Sequence, residues 1–188
     1  MEMTGEQMIA APRERVWAAL NDPDVLRRAI EGCESFERTS PTSFAARVAA
    51  RIGPVKVGFS GAVTLTDVDP PNGYTLVAEG SGPGAGFAKG RARVTLTDMG
   101  GPTRLSFEVK ADVGGKLAQI GARLIDQTAR KQADNFFARF GAIVAEGGLT
   151  PAPARATGAW ARGPGWISAA IIVAMALAIG FLAGRLWG

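Results

Sequence analysis

The chain has 188 residues, 47% hydrophobic and 20% charged, with a formal net charge of +4, which is room for one ordinary domain plus an extension. It contains no histidine, which removes the commonest general base, the usual metal ligand and every Ser-His-Asp arrangement. The charge is unevenly held. Residues 1–148 carry 18 Lys+Arg against 17 Asp+Glu, whereas 149–188 carry three arginines (Arg155, Arg162, Arg185) and no acid, so the body of the chain lacks a nucleic-acid binder's basic footprint.

The opening residues, MEMTGEQMIAAP, have no basic segment followed by an apolar core, so no signal peptide is expected. Thr4 to Ala10 reads as a strand. Pro12 suits the first turn of a helix with Val16, Trp17 and Leu20 on its apolar face, ending near Asn21. DPDVLRRAI makes a second short helix, closed by Gly32. Cys33 is the single cysteine, which fits a reducing compartment. With no histidine to activate it, it reads as a buried or incidental thiol.

From Ser43 the period changes to two. FAARVAARI sets Phe44, Ala46, Val48, Ala50 and Ile52 against Arg47 and Arg51, and VKVGFSGAVTLT sets Val55, Val57, Phe59, Gly61, Val63 and Leu65 against Lys56, Ser60 and Thr64. Pro70-Pro71-Asn72-Gly73 is a turn, after which Tyr74, Leu76 and Ala78 share a face. Ala88, Gly90, Ala92, Val94 and Leu96 oppose Lys89, Arg91 and Arg93. Leu105, Phe107, Val109, Ala111 and Val113 oppose Ser106, Glu108, Lys110 and Asp112. This is an antiparallel meander with one dry face and one wet face.

Between two of these strands lies GSGPGAGFAKGRAR, residues 80–93. As a phosphate cradle it fails on spacing, because Gly90 follows Lys89 where a P-loop needs Ser or Thr, and no G-x-G-x-x-G can be drawn. Both cradles also lead into a helix, whereas RARVTLTD alternates like a strand. The glycines therefore read as a loop or hairpin.

After Gly114-Gly115 the period lengthens. Leu117, Ile120, Leu124, Thr128, Phe136, Phe140 and Val144 recur at helical spacing, so one long helix is expected over about Lys116–Ala145. The sheet offers the only large apolar face for it to cover. The fold class is thus α+β, a helix-grip in which an antiparallel sheet wraps a long C-terminal helix. The inward sheet face is short of bulk at Ala46, Ala50, Gly61, Ala78, Gly80, Ala88, Gly90 and Ala92. Either Phe107, Phe136 and Phe140 fill the space, or an apolar cavity stands there. The cavity is the expectation pursued below, lined by Val48, Phe59, Gly61, Leu76, Ala78, Phe87, Gly90, Ala92, Phe107, Leu124 and Phe136. Phe87 is expected as a lid residue at its mouth. No catalytic or metal-binding residue is found.

The end of the chain divides into a Pro/Ala/Gly-rich linker, 149–165, and an apolar helix, 166–187. Trp166–Gly184 carries no charge and spans about 28 Å at ~1.5 Å per residue, close to a ~30 Å hydrocarbon core. Trp160, Trp166 and Trp187 flank it as interfacial residues do. A single-pass C-terminal anchor in the cell membrane is expected, holding domain 1–148 in the cytoplasm.

APRERVWAALNDPDVLRRAIEGCESFE, VGFSG, GFAKGRARVTL and VGGKLAQIGARLIDQTARKQADNFF together resemble the carbon monoxide dehydrogenase G-subunit (CoxG) family, of the START-like (SRPBCC) helix-grip superfamily. The resemblance runs in order over about residues 2–146. It implies an accessory protein of aerobic, molybdenum-containing carbon monoxide dehydrogenase, not an enzyme itself, with that dehydrogenase as partner. Combined with the tail and the expected cavity, it leads to a membrane-bound carrier that recruits the dehydrogenase for electron transfer. Its expected ligand is an isoprenoid quinone, menaquinone or ubiquinone. Membrane lipid is a further partner; nucleic acid is not. Two other readings stand beside it. A lipid-binding or cyclase-like member of the superfamily would need an acid or base in the cavity, where this register offers at most Tyr74 and hydroxyls. A maturation factor for the dehydrogenase would bind protein and no lipid.

Overall fold

The computed structural model describes residues 1–52, 55–84 and 86–147. The expected linker and anchor, 149–187, lie outside these residues. Among the described residues no helix is long and apolar enough to cross a membrane.

The first strand, β1 (Glu2–Ile9), ends where Pro12 sets up α1 (Arg13–Leu20) from its N-cap, with φ −59°. The Asp22 side chain then accepts from the amides of Asp24 at 2.9 Å and Val25 at 3.4 Å, capping α2 (Pro23–Ala29), whose first residue is a proline with no N–H to satisfy. These two helices carry the chain from one edge of the sheet to the other. The meander follows: β2 (Cys33–Ser40), β3 (Ser43–Ile52), β4 (Val55–Asp69), β5 (Gly73–Gly82), β6 (Gly86–Asp98) and β7 (Thr103–Gly114). All seven form one antiparallel sheet in the order β1-β7-β6-β5-β4-β3-β2. A buried hydrogen bond from Thr103 Oγ1 to the Ala11 carbonyl, 2.7 Å, ties the exit of β1 to the start of β7. β2 was not expected from the sequence. It is an edge strand in which only Phe36 is buried, so no alternation marks it.

The single helix expected over Lys116–Ala145 is two helices, α3 (Lys116–Ile120) and α4 (Ala122–Ala145). Gly121 separates them at φ 97° and ψ 135°, a backbone conformation that interrupts the helix and is open chiefly to glycine. The buried stripe of α4 is Ile125, Ala129, Ala133, Phe136, Phe137, Phe140 and Val144, not the series through Leu124 and Thr128. α4 runs beside α2, where Glu31 accepts from Asn135 Nδ2 at 2.9 Å and pairs with Arg139 at 3.8 Å.

Strand register sorts the inner face into rows from one end to the other. At the end near α3 the rows are small: Gly61, Gly80, Ala88 and Val113, then Val63, Ala78, Gly90 and Ala111. Further along come Leu65, Leu76, Ala92 and Val109, then Tyr74, Val94 and Phe107, then Leu96 and Leu105. α4 has the same gradient, with Ile125, Ala129 and Ala133 toward α3 and three phenylalanines toward its C-terminus. The large ends meet. Phe107 stacks on Phe137 with centroids 5.6 Å apart, and Phe136 stacks on Phe140 at 5.5 Å, pairs that add about 0.5–1.5 kcal/mol each beyond buried area. The aromatic contacts between α4 and β7 thus lie toward the C-terminal half of α4, while Phe44 and Val63 join the β3–β4 side of the small rows to the same contiguous core.

Candidate functional site

At the other end the small rows leave space. A pocket of about 310 Å³ is lined by Met1, Ala111, Asp112, Val113, Ala118, Ala122 and Ile125. Each position follows from elements already described. Ala111 and Val113 are the last inward residues of β7, Ala118 comes from α3, and Ala122 and Ile125 from the first turn of α4. Most of the lining is aliphatic; Asp112 is its one residue with a charged side chain, and the Met1 ammonium donates to the Ala111 carbonyl at 2.7 Å. A volume near 300 Å³ sits at the lower end of the range for small-molecule sites.

Phe59, Ile125 and Ala129 are buried as well.

The residues expected to line a cavity divide along this gradient. Gly61, Ala78 and Gly90 lie in the small rows, with Val48 opposite Phe59 on the neighbouring strands β3 and β4. Leu76 and Ala92 are fully buried in the middle row. Phe107 and Phe136 belong to the aromatic core, and none of the residues expected to line a cavity lines this pocket. Two placements were wrong. Phe87 is 40% exposed and shares the outer face with Lys89 and Arg91, its ring lying against Gly114, so it is no lid over the mouth. Leu124 is 39% exposed because, at about 100° per residue, Ile125 and not Leu124 shares the face of Phe136 on α4.

The meaning given to the sheet glycines also changes. A Cβ on Gly61 would lie 2.9 Å from the Glu79 carbonyl oxygen, and one on Gly90 would run into the Lys110 carbonyl and lie 3.0 Å from Ala111 Cα. These glycines allow adjacent strands to coil tightly together. The room comes from the alanines on the sheet and on α4. Sequence reasoning missed Ala118, Ala122 and Ile125; of these Ile125 was within reach, since at about 100° per residue it shares the face of Phe136 on α4 and Leu124 does not.

Cys33 takes no part in such a pocket. Burial, only partly offset by the nearby Arg27 charge, pushes its thiol up to about 11, so it stays protonated at neutral pH. Among the described residues no cluster of His, Cys, Asp and Glu is arranged to hold a metal ion.

A seven-stranded antiparallel sheet gripping a C-terminal helix, with two helices bridging its edges and an apolar opening at one end, defines a helix-grip protein of the START-like class. The chain belongs to the carbon monoxide dehydrogenase G-subunit (CoxG) family, whose model matches residues 5–145. Among solved structures it is similar to a conserved protein from Geobacillus kaustophilus, at 30% identity and TM-score 0.74, covering 78% of this chain and 96% of that one. A START superfamily protein from Mycobacterium smegmatis matches at 12% identity and TM-score 0.59, covering 77% of this chain and 97% of that one. A protein from Thermus thermophilus matches at 17% identity and TM-score 0.59, with 78% and 99% covered. The last two likenesses concern the fold alone. No curated protein matches the sequence significantly.

Proposed function

We propose that this protein is a membrane-anchored accessory protein of a molybdenum-containing carbon monoxide dehydrogenase, and that its grip holds an isoprenoid quinone. The observation that carries the reading is the largely aliphatic pocket beside the N-terminal end of α4, in a chain whose family is named for that dehydrogenase. Aromatic packing fixes one end of α4 while alanines at the other leave an aliphatic opening of about 310 Å³. Ala111, Val113, Ala122, Ile125 and Ala129 suit a hydrocarbon chain, whose exposure to water costs about 0.8 kcal/mol per CH₂. The bound quinone would supply an acceptor for the dehydrogenase's electrons. The protein's own part is to shield the ligand from water and carry it within reach of the enzyme. The uncharged run Trp166–Gly184 and the Pro/Ala/Gly linker before it fit a tether of sufficient reach in the cytoplasmic leaflet.

The test is reduction of a short-chain quinone by the purified dehydrogenase, with and without this protein in vesicles. The expected result is faster reduction, together with dehydrogenase recovered in the vesicle fraction. If the protein binds no quinone and leaves the rate unchanged while still retaining the enzyme on vesicles, the carrier role fails and recruitment or assembly is left.

A further inference from the structure

The connections at the two ends of the sheet differ in charge. The turns far from the pocket, residues 67–73 and 98–103, carry three aspartates (Asp67, Asp69 and Asp98) and no lysine or arginine. Arg13, which reaches this end, donates to Asn72 and pairs with Glu14. At the pocket end, residues 114–125 carry Lys116 and Arg123 and no acid. Both cations are exposed, and among the described residues neither enters an ion pair. The other charges nearby are matched. Register sets Lys89 between Glu79 and Asp112 on the outer face, and Asp126 holds Arg130 at 3.0 Å.

The pocket end also presents apolar groups to solvent. The glycine-rich β5–β6 hairpin projects there, since Phe87 just beyond it lies opposite Gly114. Residues 80–86 hold one charge-free run with Pro83 exposed at the turn. Phe87 follows at 40% exposure, and Leu124 in the first turn of α4 stands at 39%. Ala118 and Ala122, which line the pocket, are exposed as well. Exposed apolar side chains, unpaired cations and the pocket thus share one end of the domain.

We infer that this end of the domain, with Lys116, Arg123, Phe87 and Leu124 around the pocket, seats on an anionic lipid bilayer while the aspartate-bearing turns point away. The inference rests on the reading of a membrane-anchored carrier and deepens it, because a pocket held against the bilayer exchanges an apolar ligand without passing it through water. The cations meet anionic headgroups, and the apolar side chains reach the acyl boundary. The tether permits this seating. The described chain ends at Gly147, beside Arg15 of α1, beyond the other end of the 24-residue α4, about 36 Å long at ~1.5 Å per residue. The 18 residues between Gly147 and Trp166 can span about 60 Å at ~3.3 Å each, enough to return past the domain to the bilayer. Two cations and two partly exposed side chains are too few to hold a free domain on lipid, so the seating depends on the local concentration that the tether supplies.

The experiment places an environment-sensitive thiol fluorophore on the full-length protein in vesicles. Pro83→Cys and Gln119→Cys report on the pocket end, and Met99→Cys, 47% exposed in the wild-type side chain, reports on the far turn. Wild type, whose Cys33 reacts slowly at neutral pH, supplies the blank. In vesicles of equal parts phosphatidylglycerol and phosphatidylcholine, the labels at 83 and 119 should shift to the blue and be quenched by nitroxide-bearing lipids, while the label at 99 stays in water. Lys116→Gln or Arg123→Gln should each lower the ratio of seated to unseated domain about fivefold, and phosphatidylcholine alone should lower it further. Labels at 83 and 119 that stay in water on sedimented vesicles overturn the inference and leave the anchored carrier standing. Equal quenching at 99 overturns it too, as does shielding that appears only when the dehydrogenase is added, which would make this end a protein-docking surface. If the labelled protein does not sediment with vesicles at all, the anchored reading fails and takes the seating with it.

Discussion

The gradient along the grip makes enlarging a residue at one end cheaper than truncating one at the other. Phe140 is fully buried and stacked on Phe136 at 5.5 Å, so Phe140→Ala should cost about 3–5 kcal/mol. In a domain of this size each kcal/mol moves Tm by about 2–4 °C, giving a fall of roughly 8–15 °C. Ala111 is equally inaccessible but lines the pocket, with Gly90 beside it on β6. Ala111→Leu adds three carbons, worth up to ~2.4 kcal/mol if all were buried, against ~0.5–1 kcal/mol of side-chain entropy and some misfit. The net should fall within about 1 kcal/mol of zero, so Tm should move by less than ~4 °C. In a filled core the same enlargement costs about 1–3 kcal/mol. Thermal denaturation followed by circular dichroism supplies the first measurement, and binding of an alkyl quinone to the same samples supplies the second. Affinity should drop at least about tenfold in Ala111→Leu, since the added isopropyl group stands where the chain must pass. A variant that loses about 2 kcal/mol or more while binding the probe normally would refute the idea that this end is open for a ligand.

Ending the chain after Gly147 should give a folded protein that no longer sediments with membranes, because the body of the chain is nearly charge-balanced and the uncharged run Trp166–Gly184 is removed; persistent sedimentation would mean that the domain itself holds the bilayer. Gly121→Ala places its new methyl group where nothing lies within 4 Å, so only the positive φ of 97° is penalised, and about 1–2 kcal/mol should be lost in denaturant titration. A wild-type-like midpoint would show that the α3–α4 break can straighten at no cost. Cys33 should react slowly with disulfide reagents at neutral pH and faster as pH approaches 11. Its contribution to stability is complete below the ordinary thiol value near 9 and is lost as pH rises through about 11, because the unfolded chain releases the proton first. Full reaction within seconds at neutral pH would contradict the buried, protonated thiol.

Much of the fold was legible because its signals were local and repeated. The alternation in β3 to β7 survives because one face is dry and the other carries charges such as Lys89, Arg91 and Glu108. β2 was illegible because an edge strand with Phe36 as its one buried residue has no period to detect. The helix boundary was missed for a related reason. Leu117, Ile120 and Leu124 keep helical spacing across Gly121, and periodicity alone cannot register a single residue whose φ is positive. Leu124 was aimed inward for another reason: repeated steps of four residues drift by about 40° each around a helix, which leaves Ile125 and not Leu124 on the face of Phe136. The glycines misled differently. Smallness on a sheet face reads the same whether it makes room for a ligand or for the neighbouring strand, and only the approach of the Glu79 and Lys110 carbonyls separates the two.

The separation of packing from opening along one helix has a consequence for how a carrier can work. A pocket in the middle of a uniform core would have to be opened against aromatic packing at each exchange. Here Phe136, Phe137 and Phe140 hold the C-terminal half of α4 to Phe107 and to each other, so the anchoring contacts need not be broken. The N-terminal half rests on Ile125 and alanines, starts from a glycine with no side-chain cap, and follows a helix of five residues that also begins at a glycine. Helix ends without caps and with few large contacts are where local opening is least costly. The end that carries the pocket is thus the end that moves with least loss of stability, as the proposed carrier role requires. A chain that instead placed its aromatic residues near Gly121 would hold the same fold with its entrance shut.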